Sequence, residues 1–171
     1  MAVIEAIATT YLEADATTVL FDDIPSTYEH LQLRISARDT GITGTSASIY
    51  LRLGDAAHTP VDTGANYLRY YMTADGAAYS GSTGMGNTEI WFGKIPKGST
   101  RASEYGNLII DILDYTNTNK VTTLLCVDRT VDYLSCRSGI WEDTSVVNAV
   151  QLDQTNYLTG STVTLYGLNS A

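Results

Sequence analysis

The chain has 171 residues, 44% of them hydrophobic, which is about one domain's length with enough apolar content for a packed core. It carries 10 Lys+Arg against 19 Asp+Glu, a net charge of −9, and so lacks the basic surface a nucleic-acid-binding module uses to displace counterions. Charged residues are only 17%; polarity comes instead from 24 Thr and 12 Tyr, types suited to a pleated, half-buried surface, so the composition points to β structure.

The opening Met1-Ala-Val-Ile-Glu-Ala-Ile-Ala8 has no basic n-region and meets Glu5 at once, so no secretory signal is expected. Ala2–Ala8 is the one helix candidate and reads equally well as a short strand; residues 1–15 are expected to form an arm or edge strand, and 16–171 a single β-sandwich domain. Thr17–Phe21 is a strand candidate. From Leu31 to Arg38 the period is two: Leu31, Leu33, Ile35 and Ala37 share one face, and Gln32, Arg34, Ser36 and Arg38 the other. Ile49, Leu51 and Leu53 alternate with Tyr50 and Arg52 in the same way. Leu68, Tyr70 and Met72 oppose Tyr67, Arg69 and Tyr71.

Further strands are expected at Glu89–Ile95, Leu108–Tyr115, Val121–Asp128, Val146–Leu152 and Thr162–Leu168. Turn-rich stretches separate them: Asp39–Gly44, Asp75-Gly76, Gly81–Gly86, Lys97-Gly98 and Thr159-Gly160. Eight or more short strands with polar connections describe a sandwich or barrel. No apolar run approaches the roughly 18 residues of a membrane span; Leu124-Leu125-Cys126-Val127 is typical.

The chemistry-bearing residues are sparse. His30 and His58 stand in no metal-ligand spacing, and no Gly-x-Ser-x-Gly elbow is present, so neither a metal, a cofactor nor a catalytic set is expected. Gly81-Ser-Thr-Gly-Met-Gly86 lacks the Lys-Ser/Thr of a phosphate-cradling loop and reads as a flexible surface loop. Asp111 and Asp114, three apart in a strand, point to opposite faces and do not form the acid pair of a glycosidase. Asp128…Asp132 falls at strand ends and a turn. Cys126 and Cys136 lie on neighbouring strand candidates, either as free thiols or close enough to bridge.

Charge is uneven. Glu5, Glu13, Asp15, Asp22, Asp23 and Glu29 all precede the first base, Arg34. Arg34, Arg38, Arg52 and Arg69 all read as lying on non-core strand faces, where they either pair with carboxylates across strands or form a basic face for an acidic arm. Val3, Ile4 and Ile7 place apolar surface at the terminus, and together with the four arginines they are the candidate interface. Trp91 and Trp141 are candidate ligand-facing aromatics.

Several blocks carry a resemblance to a known group. Ile7-Ala-Thr-Thr-Tyr-Leu12, Ile24-Pro-Ser-Thr-Tyr-Glu-His-Leu-Gln-Leu-Arg-Ile-Ser-Ala-Arg38, Ile110-Asp-Ile-Leu-Asp-Tyr-Thr-Asn-Thr-Asn-Lys120, Ser138-Gly-Ile-Trp-Glu-Asp-Thr144 and Thr162-Val-Thr-Leu-Tyr-Gly-Leu168 run in order along the chain. Together they resemble small virion structural proteins of tailed bacteriophages. That resemblance implies a jelly-roll-like antiparallel sandwich with no catalytic residues, serving on the head as a decoration (cement) protein or in a tail fibre. The leading expectation is therefore a non-enzymatic decoration protein of the virion, assembled in the host cytoplasm. Its expected partners are the major capsid protein and itself, as a homo-trimer, with neither nucleic acid nor membrane. The alternative is a receptor- or carbohydrate-binding tail component that presents Trp91 or Trp141 to a host surface glycan. A glycan depolymerase would need paired carboxylates across a cleft, and the sequence shows none.

Overall fold

The computed structural model describes residues 3–74, 78–98, 102–130 and 134–169. The expected Asp75-Gly76 turn and Asp132 lie outside them. Twelve strands and no helix occur among the described residues. They are β1 (Val3–Tyr11), β2 (Ala16–Phe21), β3 (His30–Ala37), β4 (Ser46–Gly54), β5 (Tyr67–Ala74), β6 (Tyr79–Asn87), β7 (Ile90–Pro96), β8 (Gly106–Leu113), β9 (Thr122–Arg129), β10 (Leu134–Trp141), β11 (Ala149–Tyr157) and β12 (Thr162–Asn169).

All pairings between strands are antiparallel. The strands form an eight-stranded sheet, β1-β12-β3-β8-β9-β10-β5-β6, and a four-stranded sheet, β2-β11-β4-β7. Without the hairpins β5–β6 and β9–β10, what is left is two sheets of four, β1-β12-β3-β8 and β2-β11-β4-β7. That nesting of first strand on last, second on second-last, is a jelly roll of two Greek keys. The two hairpins are insertions that extend one sheet only, so the large sheet overhangs the small one.

The core lies between the sheets. Leu31 and Leu33 are fully buried and Ile35 nearly so, while Gln32, Arg34 and Ser36 face away, as the alternation of β3 requires. Opposite them Ile49, Leu51 and Leu53 of β4 are fully buried, with Phe92 of β7 and Leu152 of β11. Each such side chain stabilises the fold by roughly 1.5–3 kcal/mol through removal from water. The hydroxyl of Tyr67 accepts from Leu53 N (3.0 Å) and lies 3.1 Å from the carbonyls of Leu53 and Asp62, pinning the β4–β5 connection to the strand end.

Of the forms open to the N-terminal segment, the edge strand is the one adopted: Val3–Tyr11 pairs along β12 as the outermost strand of the large sheet. Two expectations change. Gly81–Gly86 is not a loop but the middle of β6, hydrogen-bonded to β5. Its glycines give no side-chain signal, and backbone pairing alone makes the strand. In β5 the faces are reversed: Tyr67 is fully buried, whereas Met72 is 62% exposed and Tyr70 45%.

Candidate functional site

Neighbouring strands share rows of side chains, and the rows of the large sheet change character along its width. On β12 and β3 the inner face is apolar (Val163, Leu165, Leu33, Ile35) and the outer face polar (Thr164, Tyr166, Arg34, Gln32). Along β9 and β10 the inner face passes from the apolar Leu124 and Cys126 of β9 to polar side chains. Asp128, Ser135 and Arg137 are all buried there, with Arg137 Nε donating to Asp128 Oδ1 at 3.0 Å and Nη2 to Ser135 Oγ at 3.1 Å. Burial raises the Asp128 carboxyl above its ordinary value, against the opposing pull of the Arg137 guanidinium and of hydrogen bonds from Lys94 N and Ser135.

The outer face of these strands turns apolar in step. Ile109 of β8 stands opposite Val127 of β9, Val127 opposite Cys136 of β10, and Cys136 opposite Met72 of β5. Leu125 and Tyr70 continue the patch one row along, and Leu134 another, each at least 43% exposed. Among the described residues, the charges of this face flank the patch: Arg34 neighbours Ile109, Asp111 stands opposite Leu125 and accepts from Gln32 Nε2 (2.8 Å), and Arg129 stands opposite Leu134 and pairs with Glu104 (3.2 Å). These large exposed side chains are contiguous, whereas exposed apolar residues on a monomer are ordinarily scattered singly.

On the inner side, the step between the two sheets opens a cleft of about 250 Å³ lined by Tyr71, Thr73, Tyr79, Ser80, Trp91 and Lys94. Trp91 reaches it from β7 beside a bulge, where the register gains one residue between Trp91 and Gly93. Its indole N–H donates to Gly93 O (2.9 Å), and its ring meets Tyr71 edge-on at 5.0 Å.

The sequence-derived candidates scatter. Trp141 is fully buried, its Nε1 donating to Asp62 Oδ2 (2.9 Å), and so cannot face a ligand; Trp91 can. The four arginines do not make one basic face. Arg34 lies on the outside of the large sheet, 4.9 Å over the Tyr166 ring. Arg52 lies on the small sheet, paired with Glu89 and Asp153. Arg38 is buried and donates to the carbonyls of Glu104 and Gly98. Arg69 is on the inner side of β5, 5.8 Å from the Trp91 ring centre. Val3 and Ile4 are about half exposed on β1, and Ile7 packs partly against the core. Cys126 is buried and Cys136 exposed; they project from opposite faces of the hairpin, so they do not bridge.

Spacing along the chain missed one cluster, because it joins two distant segments. Asp55, His58 and Asp143 bring their ligating atoms within 4.8 Å of one another. Their oxygens already hold the surrounding loops: Asp55 Oδ1 accepts from Ala57 N (2.8 Å), His58 N (2.6 Å) and His58 Nδ1 (3.0 Å), and Asp143 Oδ1 from Ser145 N (2.7 Å). Burial opposes ionisation of Asp55, but hydrogen bonds from Ser145, His58 and Ala57 outweigh it and hold the carboxyl below its ordinary value. The other histidine, His30, accepts at Nδ1 from Asp114 N (3.0 Å) where β8 ends, a structural bond.

The fold and these surfaces define the chain as a jelly-roll β-sandwich with a widened sheet, apolar outside and aromatic–cationic within. No family model and no curated protein matches it.

Proposed function

We propose that the protein is a non-enzymatic structural protein of a bacteriophage particle, which docks through the outer face of β8, β9, β10 and β5 onto the major capsid lattice as a decoration protein. The observation that carries this reading is the reversal of sidedness across the large sheet. Strands that are apolar on both faces are found where both faces are covered. In β8 and β9 the inner side chains, such as Ile110, Ile112 and Leu124, are fully buried under the small sheet, yet Ile109, Leu125 and Val127 outside them stand in water. A partner that covered this face would bury these side chains together, as the apolar centre of a stable interface of ~800 Å² per side is buried. The anatomy matches: an uncharged apolar centre with arginine and carboxylate at the rim. The charge of the chain as a whole, −9, does not reach the centre of the patch, so a neutral or basic lattice surface can approach without local repulsion.

Val127 is 49% exposed, and an aspartate there stays hydrated in the free chain but is desolvated in the complex. Val127→Asp is expected to keep the circular dichroism spectrum and lose at least about tenfold in affinity for particles stripped of the protein, read by co-sedimentation. Undiminished binding of the folded variant contradicts the reading.

A further inference from the structure

The inner cleft at the step between the sheets is distinct from that docking face: Tyr71, Thr73 and Ser80 project from the inner side of the large sheet, and Trp91 and Lys94 belong to the small one, while Tyr79, opposite Ala74, borders both. Three cations gather on Trp91: the guanidinium of Arg137 lies 4.1 Å from the ring centre, Lys94 Nζ 5.6 Å and the guanidinium of Arg69 5.8 Å. Arg137 also lies over Tyr71 at 5.3 Å, so its charge is held against both rings that line the cleft. It is 1% exposed, and its Nη1 has no hydrogen-bond partner, a rare state for a buried donor. Beside the rings stand the hydroxyls of Thr73 and Ser80, 3.2 Å apart.

We propose that this cleft binds a carboxylated sugar, a uronic or sialic acid unit of an acidic glycan. One face of the Trp91 indole is covered by the Arg137 guanidinium, and the opposite face is the platform for the C–H face of a pyranose ring. The hydroxyls of Thr73 and Ser80 match the ring's own, and the half-buried ammonium of Lys94 and guanidinium of Arg69 attract the carboxylate, while Arg137, paired with Asp128, fixes the Trp91 and Tyr71 rings from behind. A cleft of about 250 Å³ accommodates one such unit. A nucleic-acid strand is disfavoured, because its many phosphates meet the net −9 of the whole chain, whereas a single carboxylate responds to the charges within about a Debye length.

The chain has two tryptophans, and Trp141 is fully buried, so intrinsic fluorescence reports chiefly on Trp91 when a ligand enters. Galacturonate and N-acetylneuraminate are titrated into the full chain, with galactose and inorganic phosphate as controls. At least one acidic sugar is expected to give a saturable change, at least about tenfold tighter than galactose and weaker at high salt. The double variant Arg69→Gln/Lys94→Gln, which leaves the buried Arg137 in place, is expected to lose that preference while keeping the circular dichroism spectrum. Galactose binding as tightly overturns the charge assignment, and phosphate binding as tightly overturns the sugar. No saturable change with either acid up to about 20 mM, in fluorescence or in the Trp91 indole N–H resonance, overturns the site.

Discussion

Leu124 and Leu125 are consecutive in β9, and their alanine variants separate the two faces of the large sheet. Leu124 is fully buried between Ile112 and Gly139 on the inner face; Leu125 is 43% exposed between Asp111 and Ser138 on the outer one. Truncating a fully buried leucine removes its transfer free energy and leaves a cavity, so Leu124→Ala is expected to cost about 2–5 kcal/mol. For a chain of this length each kcal/mol moves the melting temperature by roughly 2–4 °C, which gives a drop of about 4–20 °C. Leu125→Ala removes a side chain already partly in water and creates no closed cavity, so its cost stays within about 1 kcal/mol. The assay is thermal unfolding followed by circular dichroism, on dilute protein so that association does not contribute. Equal losses from the two variants refute the reasoning, because they show that the outer face is covered within the chain itself or that β9 is turned over.

Gly54→Ala places a Cβ 2.1 Å from the carbonyl oxygen of Pro60 and 2.8 Å from that of His58, backbone atoms that cannot swing aside; a loss of at least about 2 kcal/mol in urea unfolding is expected. Asp62 is held below its ordinary pKa because hydrogen bonds from Trp141, Asn66 and Gly64 outweigh the cost of its burial. A lowered folded pKa gives stability that is present above the unfolded value, near pH 4, and is lost as pH falls through the folded one. The melting temperature should therefore decline below about pH 4, and more shallowly in Asp62→Asn, which also starts lower at neutral pH. Trp141→Phe strips Asp62 Oδ2 of its indole partner and should cost about 1–3 kcal/mol, read by the same melts.

Alternation made β3 legible down to single residues, because one face meets the core and the other meets water. The same rule misassigned β5. There apolar Leu68, Tyr70 and Met72 face outward while Arg69, Tyr71 and Thr73 face in, and a pattern that equates apolar with core inverts a strand whose outer face is the apolar one. β6 was invisible for another reason: Gly81, Gly84 and Gly86 carry no periodic signal, and only pairing with β5 reveals the strand. The fate of the cysteines turned on hairpin parity. With Arg129 opposite Leu134, Cys126 pairs with Arg137 on the inner face and Cys136 with Val127 on the outer, and the exact turn length is not written in the residue types. Nor could composition tell Trp91 from Trp141. One sits at the step between sheets of unequal width and the other beneath the β4–β5 connection, a difference set by topology. The Asp55–His58–Asp143 cluster joins two loops far apart in sequence, so no local spacing announces it.

Docking as a decoration protein requires the outer face of β8, β9, β10 and β5 to be covered in the particle. Cys136 lies in the middle of that face and is exposed, whereas Cys126 is buried and its thiol is pushed far up by burial, so alkylation of the native chain reads Cys136 alone. The direct measurement is the maleimide labelling rate of Cys136 in the free protein and in particles that carry it. Rapid labelling of the free chain and protection of at least about tenfold on the particle are expected. Equal rates in the two states contradict such docking.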